Sequence, residues 1–410
     1  MSKLKLFFLC IFSMTCLWPV SAVNRYAFAA DWSFTPSVTL SQRYDSNFAF
    51  TSTPTPGTTK GDFITSLTPV VSVTGETEQT TFQFDTVTSG QAYFENPRFD
   101  IVNTNTTTSL TEMWSPRFST SANLGLIHDS TLEDQLQSSG IITEKVERYI
   151  YSFGLGGKYD LSEALNLNAS GLFAKTIFPS GAYPDSDVYQ GTITPILAIT
   201  PRDNIGLSSN FTYTAFSSVG TTIRTLTETL FWERRLTDAL TLKLSGGSYF
   251  SKLDFITQAL EFIPPIFFRI VNRPATANDI GFVFGADLKK DWSERFSTTF
   301  SAGSQQYNDV DARSFDSTFI SGMATYKLSE LTTVNFLARY NMNNQISQGS
   351  EKIDYYILTP SIERNLTENL IVRLAGSYEY ESETNPNINL DRYRTWIDLT
   401  YKWPRFFSSH

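Results

Sequence analysis

The feature that most restricts the fold of this chain is a short polar phrase that recurs between long alternating segments. Each copy places Ser, Thr, Asp, Asn or Glu between apolar residues, and the last three copies lie about 36 to 38 residues apart. The clearest copies are DLSEALNL at 160–167, RLTDALTL at 235–242, DWSERFST at 291–298, KLSELTTV at 327–334 and NLTENLIV at 365–372. A period of this length indicates one repeated supersecondary unit.

The segments between the phrases alternate with a period of two residues. In LIVRLAGSYEY at 370–380, Leu370, Val372 and Leu374 share one face, while Arg373 and Glu379 share the other. This period is typical of β-strands with one apolar face. Because Asp, Ser, Thr and Asn favour tight reversals, the repeated unit is predicted to be a long hairpin with a polar turn.

The connections opposite these short turns are longer and polar, and they lie at 130–145, 179–187, 343–351 and 381–389. Short turns at one end, long loops at the other and strands of about ten residues are typical of membrane barrels. We therefore predict an all-β, transmembrane, antiparallel up-and-down β-barrel of about 18 strands, within a range of roughly 16–20. A propeller is disfavoured because each of its blades holds four short strands. A secreted β-sandwich stays as the soluble alternative.

The N-terminus has the pattern of an export signal. Lys3 and Lys5 precede the apolar run LFFLCIFSMTCLWPV at 6–20, which has signal-peptide length. We predict a signal peptide at 1–29 and a single barrel domain at 30–410. Both cysteines of the chain, Cys10 and Cys16, lie in the leader, which excludes a disulfide framework or a thiolate metal site in the barrel.

Net charge, the length of apolar runs and aromatic content argue against three further classes of protein. The chain carries a formal net charge of −9, whereas binding to phosphates needs a basic surface, so no nucleic-acid partner is predicted. After the leader, no apolar run approaches the length of a transmembrane helix. Aromatic residues make up 14% of the chain, which is too many for a disordered protein.

Aromatic residues and prolines are predicted to mark the strand ends. Tyrosines and tryptophans where strands meet turns are typical of the aromatic girdles of membrane barrels, and they are Trp114, Tyr159, Trp232, Trp292, Tyr326 and Trp403. Proline lacks a ladder donor and is usually confined to strand ends, edges or bulges. We therefore expect four prolines within alternating segments to lie near a rim: Pro36, Pro69, Pro195 and Pro360.

No enzyme motif, metal-ligand cluster or cofactor motif is present, so the chain is not predicted to be an enzyme and no cofactor is expected. The sequence has two histidines, His128 and His410. His128 is the one candidate to support a nucleophile, and we interpret it as an incidental residue at a loop edge. Asp129, Glu133 and Asp134 are candidates for a divalent ion, but a solvated acidic loop is the preferred interpretation.

Charged residues on the polar faces of the strands are the candidate functional residues. These lumen-lining candidates are Arg148, Arg339, Arg373, Glu379, Arg394 and Asp398. Two interpretations stay open: the charges tune the selectivity of an aqueous lumen, or they form ion pairs that brace the wall.

One segment does not fit the pattern. DFITQALEFIPPIFFRIV at 254–271 is strongly apolar although it lies on the long-loop side. It is predicted to be an inward-folded constriction loop, a raised strand pair that makes the count twenty, or a contact for a partner.

Two stretches carry a resemblance. FTPSVTLSQRYDSNFAF at 34–50, with Tyr44 to Asn47, and DFITSLTPVVSVTGET at 62–77 resemble the opening of outer-membrane barrel proteins encoded in exopolysaccharide gene clusters, including exosortase-associated ones. RYRTWIDLTYKW at 392–403 resembles the C-terminal targeting strand of bacterial outer-membrane proteins.

The resemblance implies a Gram-negative outer-membrane location, with membrane lipids, polysaccharide and periplasmic export machinery as partners. The leading hypothesis is a barrel that takes part in export or surface assembly of an extracellular polysaccharide. The alternatives are a general porin-like channel for small solutes and a structural or adhesive barrel with a filled lumen. The oligomeric state is left open.

Overall fold

The computed structural model describes residues 31–52, 57–131, 145–263, 267–310, 312–346, 351–384 and 387–404, with the side chains of residues 257–272 outside this description. The predicted leader at 1–29 also lies outside it. In the described part no helix is long and apolar enough to span a bilayer. The described elements are β1 (Asp31–Asp45), β2 (Asp62–Glu76), β3 (Thr80–Tyr93), a 3₁₀ turn (Pro97–Phe99), β4 (Ile101–Ser115), β5 (Phe118–Ser130), β6 (Glu147–Asp160), β7 (Leu165–Ile177), β8 (Ser186–Thr200), β9 (Asp203–Phe216), β10 (Thr221–Thr237), β11 (Leu240–Ile263), β12 (Phe267–Ser293), β13 (Phe296–Asn308), β14 (Ser314–Lys327), β15 (Thr332–Gln345), β16 (Lys352–Asn365), β17 (Leu370–Thr384) and β18 (Asn387–Lys402).

The strands form one closed antiparallel sheet. Every strand pairs with its neighbours in sequence, and β1 pairs with β18. This closing pairing runs from Ser37 opposite Lys402 to Asp45 opposite Arg394. Closure satisfies the backbone groups that an open sheet leaves unpaired at its edges. The predicted all-β, up-and-down barrel of about 18 strands is therefore confirmed.

The repeated polar phrase forms the short turns at one rim. Between β6 and β7, the Ser162 hydroxyl accepts a hydrogen bond from the backbone N–H of Leu165 at 3.0 Å. Between β16 and β17, the Thr367 hydroxyl accepts one from the N–H of Leu370 at 3.0 Å. A small hydroxyl at this position satisfies a backbone donor within the reversal. The phrase recurs because each short turn needs a side chain that accepts a hydrogen bond from the backbone within the turn.

Side chains alternate between the outer surface and the lumen. On β17, Leu374 is 54% exposed on the outer surface, whereas its neighbour Ala375 is 5% exposed on the lumen side. Because successive side chains of a strand point to opposite faces, these two residues show which side chains of β17 face outwards and which face the lumen. Arg373 and Glu379 accordingly face the lumen.

Tryptophans near the short turns lie on the outer surface. Trp114 donates its indole N–H to the Thr120 hydroxyl at 2.9 Å across the β4–β5 turn. Trp292 makes the same contact with Thr298 at 2.9 Å across the β12–β13 turn. Each of these two hairpins thus holds an exposed indole at the same rim, through a hydroxyl six residues further along the chain. Aromatic residues at a rim are typical of an aromatic girdle.

The four prolines do not lie at strand ends as predicted: Pro36 and Pro195 are five residues inside β1 and β8, as far as Pro360 is inside β16. Pro69 is in the middle of β2, and Pro360 is in the middle of β16. The pairing of β2 with β3 lacks partners at Thr68 and Pro69 and resumes in the same register at Val70. On its other side, Pro69 stays opposite Val38 of β1. The rim prediction was wrong because the ladder accommodates a local gap on one side while the other side holds the register.

The apolar segment at 254–271 belongs to the longest hairpin of the barrel. β11 has 24 residues and β12 has 27, and they pair continuously to Ile263 opposite Phe267. The pairing of β10 with β11 already ends at Thr222 opposite Asp254. The segment is therefore a raised strand pair, but it extends two existing strands. The expectation of twenty strands and that of a constriction loop are both corrected.

Candidate functional site: the barrel lumen

A cavity of about 1120 Å³ crosses the lumen. It begins near the short-turn rim at Lys402 and Ile371 and reaches Tyr93 and Lys145 near the opposite rim. Small hydroxyl side chains of β1 and β2 line its middle, among them Ser41 and Ser66. The cavity thus connects the two rims along one side of the barrel.

The cavity lining is positively charged, although the chain as a whole is acidic. It contains six cationic and three acidic side chains, namely Arg43, Lys145, Arg339, Arg373, Arg394, Lys402, Asp129, Glu363 and Asp398. A cleft lined by an excess of one sign concentrates ions of the opposite sign. The lining is therefore suited to attract anions. Four of the six lumen-lining candidates from the sequence lie here: Arg339, Arg373, Arg394 and Asp398.

Glu379, a fifth candidate, is held in a buried ion cluster. It accepts hydrogen bonds from Arg392 at 2.8 and 3.1 Å, and Arg394 binds its other carboxylate oxygen. The Ser377 hydroxyl accepts from Arg394 at 2.9 Å and donates to Glu379 at 3.1 Å. Glu379 and Arg392 are fully buried. These charges brace the wall between β17 and β18, and sequence analysis missed Arg392.

Arg148, the sixth candidate, is likewise paired. Its guanidinium group donates to both carboxylate oxygens of Asp129, at 2.7 and 3.1 Å, across β5 and β6. A two-point contact of this kind fixes the geometry of both side chains. It also engages Asp129, one residue of the acidic loop considered for a divalent ion.

Arg373 and Asp398 are different, because they face each other across β17 and β18 in the cavity wall. Neither side chain forms a hydrogen bond or an ion pair within the part of the chain that the structure describes. Arg339 donates to the amide oxygen of Asn341 at 2.9 Å. Among the four candidates in the cavity, Arg373 and Asp398 therefore have the most hydrogen-bonding capacity left for a solute.

The connection after β1 folds towards the lumen, and the stretch that carries the sequence resemblance builds its first turn. Asp45 accepts a hydrogen bond from the backbone N–H of Asn47 at 3.0 Å. The Asn47 amide bonds to the backbone N–H and C=O of Thr51, at 3.0 and 3.1 Å, and to the backbone oxygen of Asp391 at 3.2 Å. These bonds tie the connection to β18.

Two phenylalanines of this connection fill the lumen near the long-loop rim. Phe50 packs with Tyr355 and Leu390 in one buried cluster. Phe48 packs with Tyr93, with ring centroids 5.3 Å apart, in a second cluster. The lumen is therefore narrowed at this rim by apolar side chains.

The barrel wall also overlaps itself near the long-loop rim. β12 and β13 pair only as far as Phe284 opposite Ser304, although β13 continues to Asn308. Unpaired with β12, the end of β13 is free to leave the cylinder of the wall.

The contacts of β13 and β14 place their ends on the lumen side of β10 and β11. Gln306 bonds to the hydroxyls of Thr225 and Ser251, each at 3.0 Å. The Tyr249 hydroxyl lies 2.7 Å from an Asp316 carboxylate oxygen. Thr225, Ser251 and Tyr249 are buried, because the β13–β14 hairpin covers them. This hairpin further reduces the opening at the long-loop rim.

His128 does not contribute to a lumenal site. Its ring stacks on Tyr149 at the outer surface, with centroids 4.5 Å apart, and its Nε2 atom lies 2.6 Å from the Glu147 carboxylate. Asp129 points to the opposite face. Among the described residues, no group of three potential ligands is arranged to hold a metal ion. His410, Glu133 and Asp134 lie outside the described residues.

No protein-family model matches the chain, and no curated protein sequence does. Several solved structures match most of this chain at low identity. Pseudomonas aeruginosa OccK3 (OpdO) shares 11% identity at a TM-score of 0.46, over 92% of this chain and 96% of that one. The outer membrane protein opdK from Pseudomonas aeruginosa shares 8% identity at a TM-score of 0.49, over 91% and 99%.

Acinetobacter baumannii OccAB3 shares 10% identity at a TM-score of 0.45, over 90% of this chain and 99% of that one. The similarity covers most of each chain, but the identity is low and each TM-score is below 0.5. It assigns no role to any residue of this chain.

Proposed function

We propose that this chain is a porin-like channel that passes small polar solutes. The observation that carries the proposal is the polar cavity that joins the region of Lys402 to the region of Lys145. Its lining holds charged groups that are not all used in wall-bracing pairs, as Arg373 and Asp398 show. Charged and hydroxyl groups along an aqueous path replace part of the hydration shell of a passing solute.

The same geometry supports small solutes over a polymer. The export hypothesis requires room for a polysaccharide chain at both rims. The long-loop rim is narrowed by Phe48 and Phe50 and by the β13–β14 hairpin at Gln306. Participation in polysaccharide export, with its periplasmic partners, therefore ranks second to the channel proposal.

We place the barrel in the outer membrane of a Gram-negative bacterium. A closed antiparallel barrel with an apolar outer surface and exposed tryptophans at a rim supports this location. The outer surface contacts membrane lipids in this arrangement, and the lumen contacts water.

The assignment of the two faces gives a matched pair of variants. Leu374→Arg is expected to hinder assembly, because a cation facing lipid costs up to about 2–4 kcal/mol. Arg373→Leu changes the adjacent, lumen-facing residue and is expected to leave assembly unchanged. The measurement is the fraction of protein that migrates as a folded barrel in an unheated gel after refolding into lipid vesicles. Equal fractions for the two variants would show that the faces are assigned wrongly.

The channel itself is tested by reconstitution. In cells, the protein should be recovered in the outer-membrane fraction. After purification, it should show heat-modifiable migration in gels and produce stepwise conductance in planar bilayers. A folded barrel that conducts no ions contradicts the channel proposal and favours the structural barrel with a filled lumen. Recovery in the soluble periplasmic fraction contradicts the membrane location.

A further inference from the structure

Trp396 occupies an unusual position for a tryptophan of this barrel. Trp114 and Trp292 lie on the outer surface at the short-turn rim, whereas Trp396 is in the interior of β18 and lines the lumenal cavity. Its neighbour Ile397 is 50% exposed on the outer surface, which confirms that Trp396 points inwards. Exposing an indole to an aqueous lumen is unfavourable, because apolar surface stays in contact with water. A ligand that covers the ring would remove that cost.

The indole has no aromatic partner in the part of the chain that the structure describes. It stands opposite Arg43 of β1 in the register that closes the barrel, and opposite Ala375 of β17. Ala375 is too small to cover it. The half-buried indole thus borders the cavity.

Polar groups with unused hydrogen-bonding capacity surround this position. The Nε atom of Arg43 is buried and has no hydrogen-bond partner. Asp398 follows Trp396 by two residues on the same face, and Arg373 is opposite Asp398. Guanidinium donors and a carboxylate acceptor are therefore available beside one aromatic surface.

This combination matches the chemistry of a sugar. The C–H groups on one side of a pyranose ring form an apolar patch, while its hydroxyl groups project around the edge as donors and acceptors. The patch covers an indole, and the hydroxyls pair with planar guanidinium and carboxylate groups. An inorganic anion or a simple carboxylate would use the arginines and would leave the indole uncovered. A cavity of about 1120 Å³ is large enough for a short oligosaccharide.

We propose that Trp396, with Arg43, Arg373 and Asp398, forms a saccharide-binding subsite in the lumen. The proposal rests on the channel function and names its substrate class. A pyranose ring stacks on Trp396, and its hydroxyl groups bond to the three charged side chains. Stacking at the wall slows the sugar and selects it from other solutes of the same size.

The test uses the full barrel with a neutral glucose-type trisaccharide and a trisaccharide of uronic acids as probes. Both are applied to single channels in planar bilayers, and their affinity is read from the reversible block of ion current. Trp396→Ala is expected to weaken the block about tenfold, the loss of one aromatic contact. Trp396→Phe should recover part of the affinity. Trp292→Ala, which removes an indole from the outer surface, should leave the block unchanged.

The outcomes separate the subsite from the channel. Two outcomes would overturn the subsite and leave the channel proposal unaffected. In the first, the barrel conducts but neither trisaccharide blocks it. In the second, both trisaccharides block Trp396→Ala as strongly as they block the original chain. If the barrel does not conduct, titration calorimetry of the detergent-solubilised protein decides. Binding that falls about tenfold in Trp396→Ala then supports the subsite without the channel. Absence of binding overturns it.

Discussion

Glu379→Gln is expected to destabilise the folded barrel by about 3–5 kcal/mol. Arg392 and Glu379 are both fully buried, and the carboxylate is the acidic group that Arg392 contacts at 2.8 Å. Removal of its charge breaks the ion pair with the buried Arg392 guanidinium, and Arg394 loses its ionic contact with Glu379 as well. Removing one partner of a buried ion pair costs far more than the pair itself contributes.

Urea unfolding of the barrel in lipid vesicles, followed by tryptophan fluorescence, measures this difference. Glu363→Gln is the matched control, because Glu363 also faces the lumen but makes no ion pair among the described residues, so a change within about 0.5 kcal/mol is expected. Arg392→Met added to Glu379→Gln should restore part of the stability, since it removes the buried cation that has lost its contact with the Glu379 carboxylate. Equal stability of Glu379→Gln and Glu363→Gln would contradict the buried cluster.

The fold could be predicted because its strands and short turns are specified by patterns among neighbouring residues of the sequence. The exposed Leu374 and the buried Ala375 follow from strand alternation, and Ser162 and Thr367 show why the polar phrase recurs in every short turn. A strand pleat and a tight reversal depend on a few consecutive residues. Repetition of both along the chain leaves a closed antiparallel barrel as the architecture that satisfies every strand edge.

The site was predicted only in part, because contacts across the lumen have no local signature. Arg392 shares its face with Arg394, so its inward direction was available from alternation, but its burial was not. That burial depends on Phe50, whose ring lies 5.1 Å from the Arg392 guanidinium carbon although the two residues are far apart in sequence. Likewise, alternation gives the face of Gln306 within β13, but it does not reveal that β13 leaves β12 and crosses β11.

Charge reversal of Arg373 and Lys402 is expected to change the ion selectivity of the channel. Both side chains line the cavity towards the short-turn rim. Arg394 is unsuitable for this purpose because it is bonded to Glu379, and its reversal would test stability instead of permeation. With Arg373→Glu and Lys402→Glu, the nine charged side chains of the lining become four cationic and five acidic. The excess charge of the lining changes sign, and with it the ion that the lumen concentrates.

The reversal potential in a potassium chloride gradient measures this change, and it should move from the anion-selective towards the cation-selective side. Low salt gives the largest effect, because the screening length is about 10 Å at 0.1 M ionic strength and shorter above it. Arg117→Glu with Arg295→Glu is the matched control. It changes the total charge equally, but in the β4–β5 and β12–β13 turns outside the cavity lining, so selectivity should stay close to that of the original chain. If the two double variants shift the potential equally, ions respond to the overall charge of the barrel, and the cavity along β17 and β18 is not their path.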